Sequence, residues 1–356
     1  KFEIINSLKP FLFDRRLKIL PAQDKVLSMK DNWERAVSNT QGEWISIIGD
    51  DDIFSPDLIL FIQHFLKTVP NASKYEAFKW KGINFSWSGV NVDGRRNPAC
   101  IPVDGDTVRV IKSSDHLEGV MSWGKPKRSC GSGPSIYHGL WRRSLIDKVK
   151  KLHNGFLFDA SIMDYESGYN AMISTDSFIF IDRPFSILGA CDKSNSAAVI
   201  DYTHKKVALA NWLNEGGIND GVPKGLNVPS SLALTIYYLN QFWMKKVNYK
   251  TEVNMRNVVE GLAQELVTID PDYFDIFKDE IISFMKETEF VDFIQYFKPK
   301  KREKHKIGWN GYLSGTIIID PSKYADRVID FADIAFSLVT PWQRVGSEYN
   351  VDANNV

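Results

Sequence analysis

The sequence predicts an α/β protein with a mostly parallel sheet flanked by helices, followed by a mainly helical C-terminal region. Residues 30–39 place Trp33 and Val37 at helical spacing. Residues 44–48 form a short β-prone apolar run of the kind that is buried in parallel sheets. After about residue 203 the pattern changes to successive helical segments. These three observations together define the predicted class.

The change of pattern also predicts how the chain is divided. We expect an α/β domain over residues 1–203 and a mainly α-helical region over residues 204–356. In the second part, helical periodicity covers residues 204–214, 231–247, 252–268, 272–286 and 288–297. A further strand-like run and a helix are predicted between residues 315 and 338.

The composition argues against some classes of binding partner and cellular environment. The 44 basic residues equal the 44 acidic ones, so no net positive field attracts nucleic acid. Cys100, Cys130 and Cys191 are far apart and odd in number, which fits neither a disulfide framework nor a metal motif. No apolar run reaches the roughly 20 residues that span a bilayer. We therefore expect a protein of the reducing cytoplasm.

Three consecutive acids follow the apolar run directly. Asp50, Asp51 and Asp52 stand after Gly49, at the predicted end of a buried strand. Adjacent carboxylates repel one another unless a cation lies between them, and hard oxygen ligands suit Mg²⁺ or Mn²⁺. Ligands of open α/β sheets bind beyond the carboxyl ends of strands. The alternative is an acidic surface turn that caps the next helix.

The residues around these acids resemble a known family. The residues that carry the resemblance are Asn32, Trp33, Glu34, Ala36, Gly42, Glu43, Trp44, Ile45, Gly49, Asp50, Asp51, Asp52 and Pro56. They resemble the metal-site segment of inverting family-two glycosyltransferases of the GT-A fold, over roughly residues 15–195. The resemblance implies a GT-A-like (Rossmann-like) fold for the first domain. Because the chain starts with Lys1, it also implies that the first strand and its base-binding loop are missing.

The resemblance assigns roles to several residues. It implies that Asp50 and Asp52 hold Mn²⁺ or Mg²⁺, and that Asp50 and Asp51 lie at the diphosphate of a nucleotide-sugar donor. Asp24, in the loop before the first helix, and His138, beside Gly139, are further candidates for donor binding. For Asp24 a solvated loop, and for His138 a structural histidine, are the simpler interpretations.

A second acidic cluster opens the predicted helix near residue 164. Helix dipoles stabilise acids at this position, which is the structural explanation for Asp164 and Glu166. An inverting transfer also needs a carboxylate that removes the proton from the acceptor hydroxyl. The resemblance implies that Asp164 does this, with Glu166 in reserve, although the usual Glu-Asp pair of the family is not reproduced.

The expected activity is inverting transfer from a nucleotide-sugar, with UDP as the expected nucleotide, to a carbohydrate or lipid-linked glycan hydroxyl. Peripheral contact with the inner face of a membrane is a further expectation, since the basic run 298–306 could touch anionic lipid. One alternative is a non-catalytic interaction protein on a degenerate transferase scaffold. Another is a two-metal phosphotransferase or nucleotidyltransferase, which would need further acids on a neighbouring strand.

Overall fold

The computed structural model describes residues 8–21, 24, 27–92, 95–103, 105–125, 133–160, 162–191, 231–303, 310–313 and 315–346. The strands are β1 (Trp44–Ile45), β2 (Ile53–Phe54), β3 (Ala77–Ser86), β4 (Asn91–Val92), β5 (Arg95–Arg96), β6 (Ala99–Pro102), β7 (Val108–Lys112), β8 (Gly139–Arg142), β9 (Ser177–Ala190), β10 (Gly311–Leu313) and β11 (Thr316–Ile319). The α-helices are α1 (Met29–Ser38), α2 (Asp57–Thr68), α3 (Ser113–Met121), α4 (Arg143–Leu152), α5 (Met163–Ser174), α6 (Leu232–Lys246), α7 (Met255–Glu265), α8 (Phe274–Lys286) and α9 (Val328–Ser337).

Within the part of the chain that the structure describes, one mixed sheet of nine strands organises the fold, and it is not mostly parallel. Its main path runs β1-β8-β3-β6-β11-β10, and β9 pairs with β2, β3 and β7. Among these named strands β3 and β9 run parallel, whereas the other pairs are antiparallel. The prediction of a mostly parallel, GT-A-like (Rossmann-like) sheet is therefore wrong.

The reason for this error lies in how the sheet is covered. Helices α1, α3, α4, α5 and α6 pack on one face, where Ala77 of β3 is buried. Helix α2 packs on the other face against Phe78 and Trp80 of the same strand, and α9 packs there against Phe85. Antiparallel strands covered on both faces read as continuous apolar runs, as parallel strands do. The apolar run at residues 44–48 therefore carried no information about strand direction.

Helix α1 begins and ends within one residue of the predicted range 30–39. In α1 the side chain of Ser28 caps the helix by accepting from the amide of Asp31. In α2 the buried residues Leu58, Phe61 and Phe65 recur at helical spacing. Helices α1 and α2 both pack their apolar faces on the sheet. The acidic turn, which lies between them in sequence, is therefore fixed by packing at both ends.

The second half of the chain returns to the sheet. Helices α6, α7 and α8 share an apolar cluster with Trp123. Strand β11 then pairs with β6, and α9 covers the same edge. The sheet thus crosses the predicted boundary at residue 203. The helix predicted at residues 204–214 lies outside the described residues. Among the described helices none is long and apolar enough to cross a membrane.

Candidate functional site

The acidic turn is held between β8 and β9. The amide of Ile47 donates to Ile136 O (3.0 Å), and the amide of His138 donates to Ile47 O (3.1 Å). Beyond this bridge the chain turns at Gly49, where a Cβ atom would lie 2.7 Å from Oδ1 of Asp51. Glycine is therefore required here by close approach of the acids, and the chain continues into β2, which pairs with β9.

Asp52 is the hub of the site. Its side chain is fully buried. Its Oδ2 accepts from the amide of Gly49 (2.7 Å), the hydroxyl of Tyr137 (2.6 Å) and Nε2 of His138 (2.9 Å). Its Oδ1 accepts from the amide of Gly189 (2.8 Å) at the end of β9. Asp52 therefore joins three segments that are far apart in sequence, and both of its oxygens are engaged.

These bonds set the charge of the hub. Burial opposes ionisation of Asp52, but the hydrogen bond and charge of His138, assisted by Tyr137 and Gly189, outweigh it and lower the pKa of Asp52. Burial, and then the charge of Asp52, raise the pKa of Tyr137 well above its ordinary value. The hub is therefore a carboxylate with a neutral phenol and an imidazole N–H as donors.

The backbone at His138 is unusual. Its φ is +51°, a left-handed conformation that is costly for a residue with a side chain. This conformation directs the ring to Asp52 and against Tyr137, with ring centroids 4.4 Å apart. Trp33 of α1 stacks on Tyr137 at 5.3 Å. An aromatic wall therefore borders the acidic turn.

Asp50 and Asp51 differ from Asp52 in how their oxygens are used. Asp51 is partly buried, and its Oδ2 accepts a long bond (3.4 Å) from the amide of Cys191. Burial, and secondly the charge of Asp52, raise the pKa of Asp51. Asp50 is exposed, and no donor among the described residues bonds its carboxylate. These two acids, rather than Asp52, have oxygens available for a cation.

Asp164 reaches the same place from another direction. It opens α5, and burial raises its pKa to about 6, against the opposing effects of backbone amides and the charge of His138. Its charge in turn contributes to the raised pKa of Tyr137. The structure thus brings Asp164, Tyr137 and His138 into one electrostatic neighbourhood with Asp51 and Asp52.

Glu166, predicted as the reserve base, accepts hydrogen bonds from the backbone before α5. It is fully buried, and its carboxylate accepts from the amides of Asp159 (2.9 and 3.0 Å) and Ala160 (2.8 Å). These bonds tie the chain that precedes α5 onto the helix. A carboxylate occupied by backbone donors is poorly suited to act as the reserve base.

A second cluster of possible metal ligands comprises His153, Asp159 and Glu166, whose ligand atoms lie within 4.8 Å of one another. It does not fit a metal well. Nδ1 of His153 lies 2.5 Å from Oδ2 of Asp159, and the ammonium of Lys246 contacts the same oxygen. Nε2 of His153 lies 2.9 Å from Oδ1 of Asn170. The cation in this cluster is therefore already supplied by a lysine.

A further predicted donor-binding residue is Asp24, and two residues that contact Asp52 were not predicted. Asp24 is exposed, and its neighbours on both sides lie outside the described residues, so its donor role stays a prediction. Tyr137 and Gly189 were not assigned roles from sequence, although both donate to Asp52. Their separations of 85 and 137 residues from Asp52 leave no local signal.

Comparison with known proteins adds no identification. No protein-family model matches the chain, and no curated protein matches its sequence.

Proposed function

We propose that this protein is a metal-dependent glycosyltransferase that moves a sugar from a nucleotide-sugar, a UDP-sugar in our expectation, to a hydroxyl acceptor with inversion. One observation carries the proposal. The acidic turn and Asp164, predicted separately as metal site and base, share the neighbourhood of Tyr137 and His138. The site supports this proposal and the fold does not, because the fold differs from the one that the resemblance implied.

Metal binding is assigned to the acids whose oxygens remain available. Asp50 and Asp51 would hold Mn²⁺ or Mg²⁺, which prefer carboxylate oxygens. Such an ion, when bound, neutralises the charge that develops on a leaving diphosphate. Asp52, with both oxygens engaged, positions the turn that carries these ligands. The sequence-based pair Asp50 and Asp52 is thus replaced in this proposal by Asp50 and Asp51.

Asp164 is the proposed general base. Its pKa of about 6 keeps it ionised at neutral pH while making it a better proton acceptor than an ordinary aspartate. It takes the proton of the acceptor hydroxyl as that oxygen bonds to the anomeric carbon. The bond from this carbon to the diphosphate breaks on the opposite face, and the anomeric configuration inverts.

The first test is calorimetric titration of UDP into the protein with and without Mn²⁺. We expect binding that depends on Mn²⁺ and is weakened at least tenfold by Asp51→Asn, which removes one carboxylate ligand. Asp279→Asn, a substitution of an exposed aspartate on α8, is the matched control.

The second test follows release of UDP from a panel of UDP-sugars with glycan acceptors. We expect Asp164→Asn to abolish transfer while leaving UDP binding intact. Absence of both UDP binding and transfer would reject the proposal and favour a non-catalytic interaction protein.

The proposal also places the protein in the cytoplasm, at the inner face of a membrane where lipid-linked acceptors occur.

A further inference from the structure

A row of cationic side chains crosses three neighbouring strands. Lys79 of β3 is paired directly with Phe180 of β9, and Phe180 is paired directly with Arg109 of β7. Directly paired residues project from the same face of a sheet. Lys79 and Arg109 therefore flank Phe180 on one face, and the guanidinium of Arg109 lies 4.7 Å from the Phe180 ring centroid.

One carboxylate lies between two cations beside this row. Oδ1 of Asp182, two residues after Phe180, lies 3.1 Å from Nζ of Lys81 and 3.1 Å from a terminal nitrogen of Arg109. Two cations thus share one carboxylate oxygen. Nε of Arg109 is buried and has no hydrogen-bond partner among the described residues. One donor is therefore available for a further acceptor.

Lys79 itself has no counter-charge. Among the described residues no carboxylate pairs with its ammonium and no acceptor bonds it. The side chain is partly buried in the middle of the sheet, and burial lowers its pKa to about 8. At neutral pH it is a charged group in a poorly solvated position, which costs free energy unless an anion compensates it.

The face that carries Lys79 is also the face of the proposed site. Ala77, two residues before Lys79 in β3, packs in the same apolar cluster as Met163 at the start of α5. Asp164 follows Met163 directly. The two places are distinct, because no carboxylate among the described residues, that of Asp164 included, pairs with the ammonium of Lys79.

We propose that Lys79, with Arg109 and Lys81, forms a binding site for an oxyanion, either a phosphate or a carboxylate of a substrate. Lys79 supplies the unpaired charge, and Nε of Arg109 supplies a directed N–H donor. The existence of the site rests on these contacts alone. That its anion belongs to a sugar substrate rests on the proposed function.

Sulfate is the first probe because its charge does not change between pH 7 and pH 9.5. We would measure the unfolding temperature of the full chain in sodium sulfate and in sodium chloride of equal ionic strength. A bound anion stabilises the folded state, and we expect a sulfate-specific rise of about 2–4 °C at pH 7. The rise should fade by pH 9.5, because Lys79 loses its proton as the pH passes 8.

Lys79→Met is the decisive variant, because methionine keeps the apolar stem and removes the charge. We expect it to lose most of the sulfate-specific rise. Lys67→Met, on the exposed face of α2, is the matched control and should keep it.

Sulfate also stabilises proteins by exclusion from their surface, and that effect would persist in both variants. An equal rise in the wild type and in Lys79→Met would overturn the site. If the variant does not fold, a rise in the wild type that is the same at pH 7 and pH 9.5 would overturn it.

Two further titrations identify the source of the anion. Weaker binding of UDP to Lys79→Met than to Lys67→Met would assign the site to the donor phosphates. Weaker binding of glucuronate alone would assign it to an acidic sugar. A sulfate response without any UDP binding would support the anion site and reject the transferase, whereas UDP binding without a sulfate response would do the reverse.

Discussion

Two histidine–aspartate pairs among the described residues differ in the charges that surround them. His138 contacts Asp52 beside the acidic turn, and His153 contacts Asp159 before α5. The second pair is completed by the ammonium of Lys246, so its charges are balanced within the cluster. Near the first pair lie two further carboxylates, Asp51 and Asp164, whose pKa values are raised by burial.

This difference separates a structural network from a candidate site. Around His153 both carboxylates already have partners, because Oδ2 of Asp159 contacts the ammonium of Lys246 and Glu166 accepts from backbone amides. Around His138, burial raises the pKa of both Asp51 and Asp164, which shows that their charges are poorly compensated. Poorly compensated acids beside the fixed Asp52 are expected where a cation binds and a proton is transferred.

The largest expected effect is that of Asp52→Ala. The substitution leaves the donors of Tyr137 and His138 buried without an acceptor, and we expect a loss of about 3–5 kcal/mol in the free energy of unfolding. Mn²⁺-dependent UDP binding should disappear with it. Urea denaturation and calorimetry measure the two effects. Asp50→Ala, on the exposed neighbour, should leave stability within about 0.5 kcal/mol, and a loss as large as that of Asp52→Ala would contradict the hub.

The second prediction concerns the pair of His153 and Asp159. His153→Gln cannot satisfy both Asp159 and Asn170, and we expect a loss of about 2 kcal/mol in the free energy of unfolding. The affinity for UDP and Mn²⁺, measured on the folded variant by calorimetry, should stay unchanged. A metal requirement at this cluster would appear as a chelator-dependent drop in the unfolding temperature of Asp51→Asn, in which the acidic turn has already lost a ligand, and we expect no such drop.

The third effect is opposite in sign. Asp164 has a pKa of about 6 in the folded state and an ordinary value of 3.8. Between these values the folded state holds a proton that the unfolded state has lost, so stability falls as the pH rises from about 4 to 6. Above pH 6 the ionised group costs roughly 2–3 kcal/mol. Asp164→Asn should therefore stabilise the protein at pH 7.5.

Urea denaturation at pH 7.5 and pH 5 checks this prediction. The gain from Asp164→Asn should shrink at the lower pH, because the wild-type carboxyl is then mostly protonated. Asp147→Asn, on α4, is the control for a general charge effect. A variant that is less stable than the wild type at pH 7.5 would mean that the Asp164 carboxylate is needed structurally.

Part of this site could be predicted from sequence because its signal is local. An apolar strand that ends in Asp50-Asp51-Asp52 and a helix that begins near Asp164 are both visible within a dozen residues. The structure adds that the charges of both segments act on Tyr137. It also separates Asp52 from its neighbours, which no spacing rule does, because the difference depends on which donors surround each carboxylate.

Other features could not be predicted for physical reasons. The amide of Gly189 donates to Asp52 only because β9 returns to the acidic turn through its pairing with β2. Strand direction was mispredicted because apolar helices cover both faces of the sheet and remove the alternation that marks antiparallel strands. The shared apolar edge of β6 and β11 depends on pairing across more than two hundred residues.

The pairing of β11 with β6 limits how the chain can be shortened. A version ending before residue 310 would leave the backbone of β6 without a neighbour on one side and would uncover Phe85 and Ile101. Exposed strand edges next to apolar surface recruit other chains. Expression of residues 1–303 alone would therefore yield self-associating material, and a workable smaller protein would have to keep β11 and α9 by joining them across the helical segment.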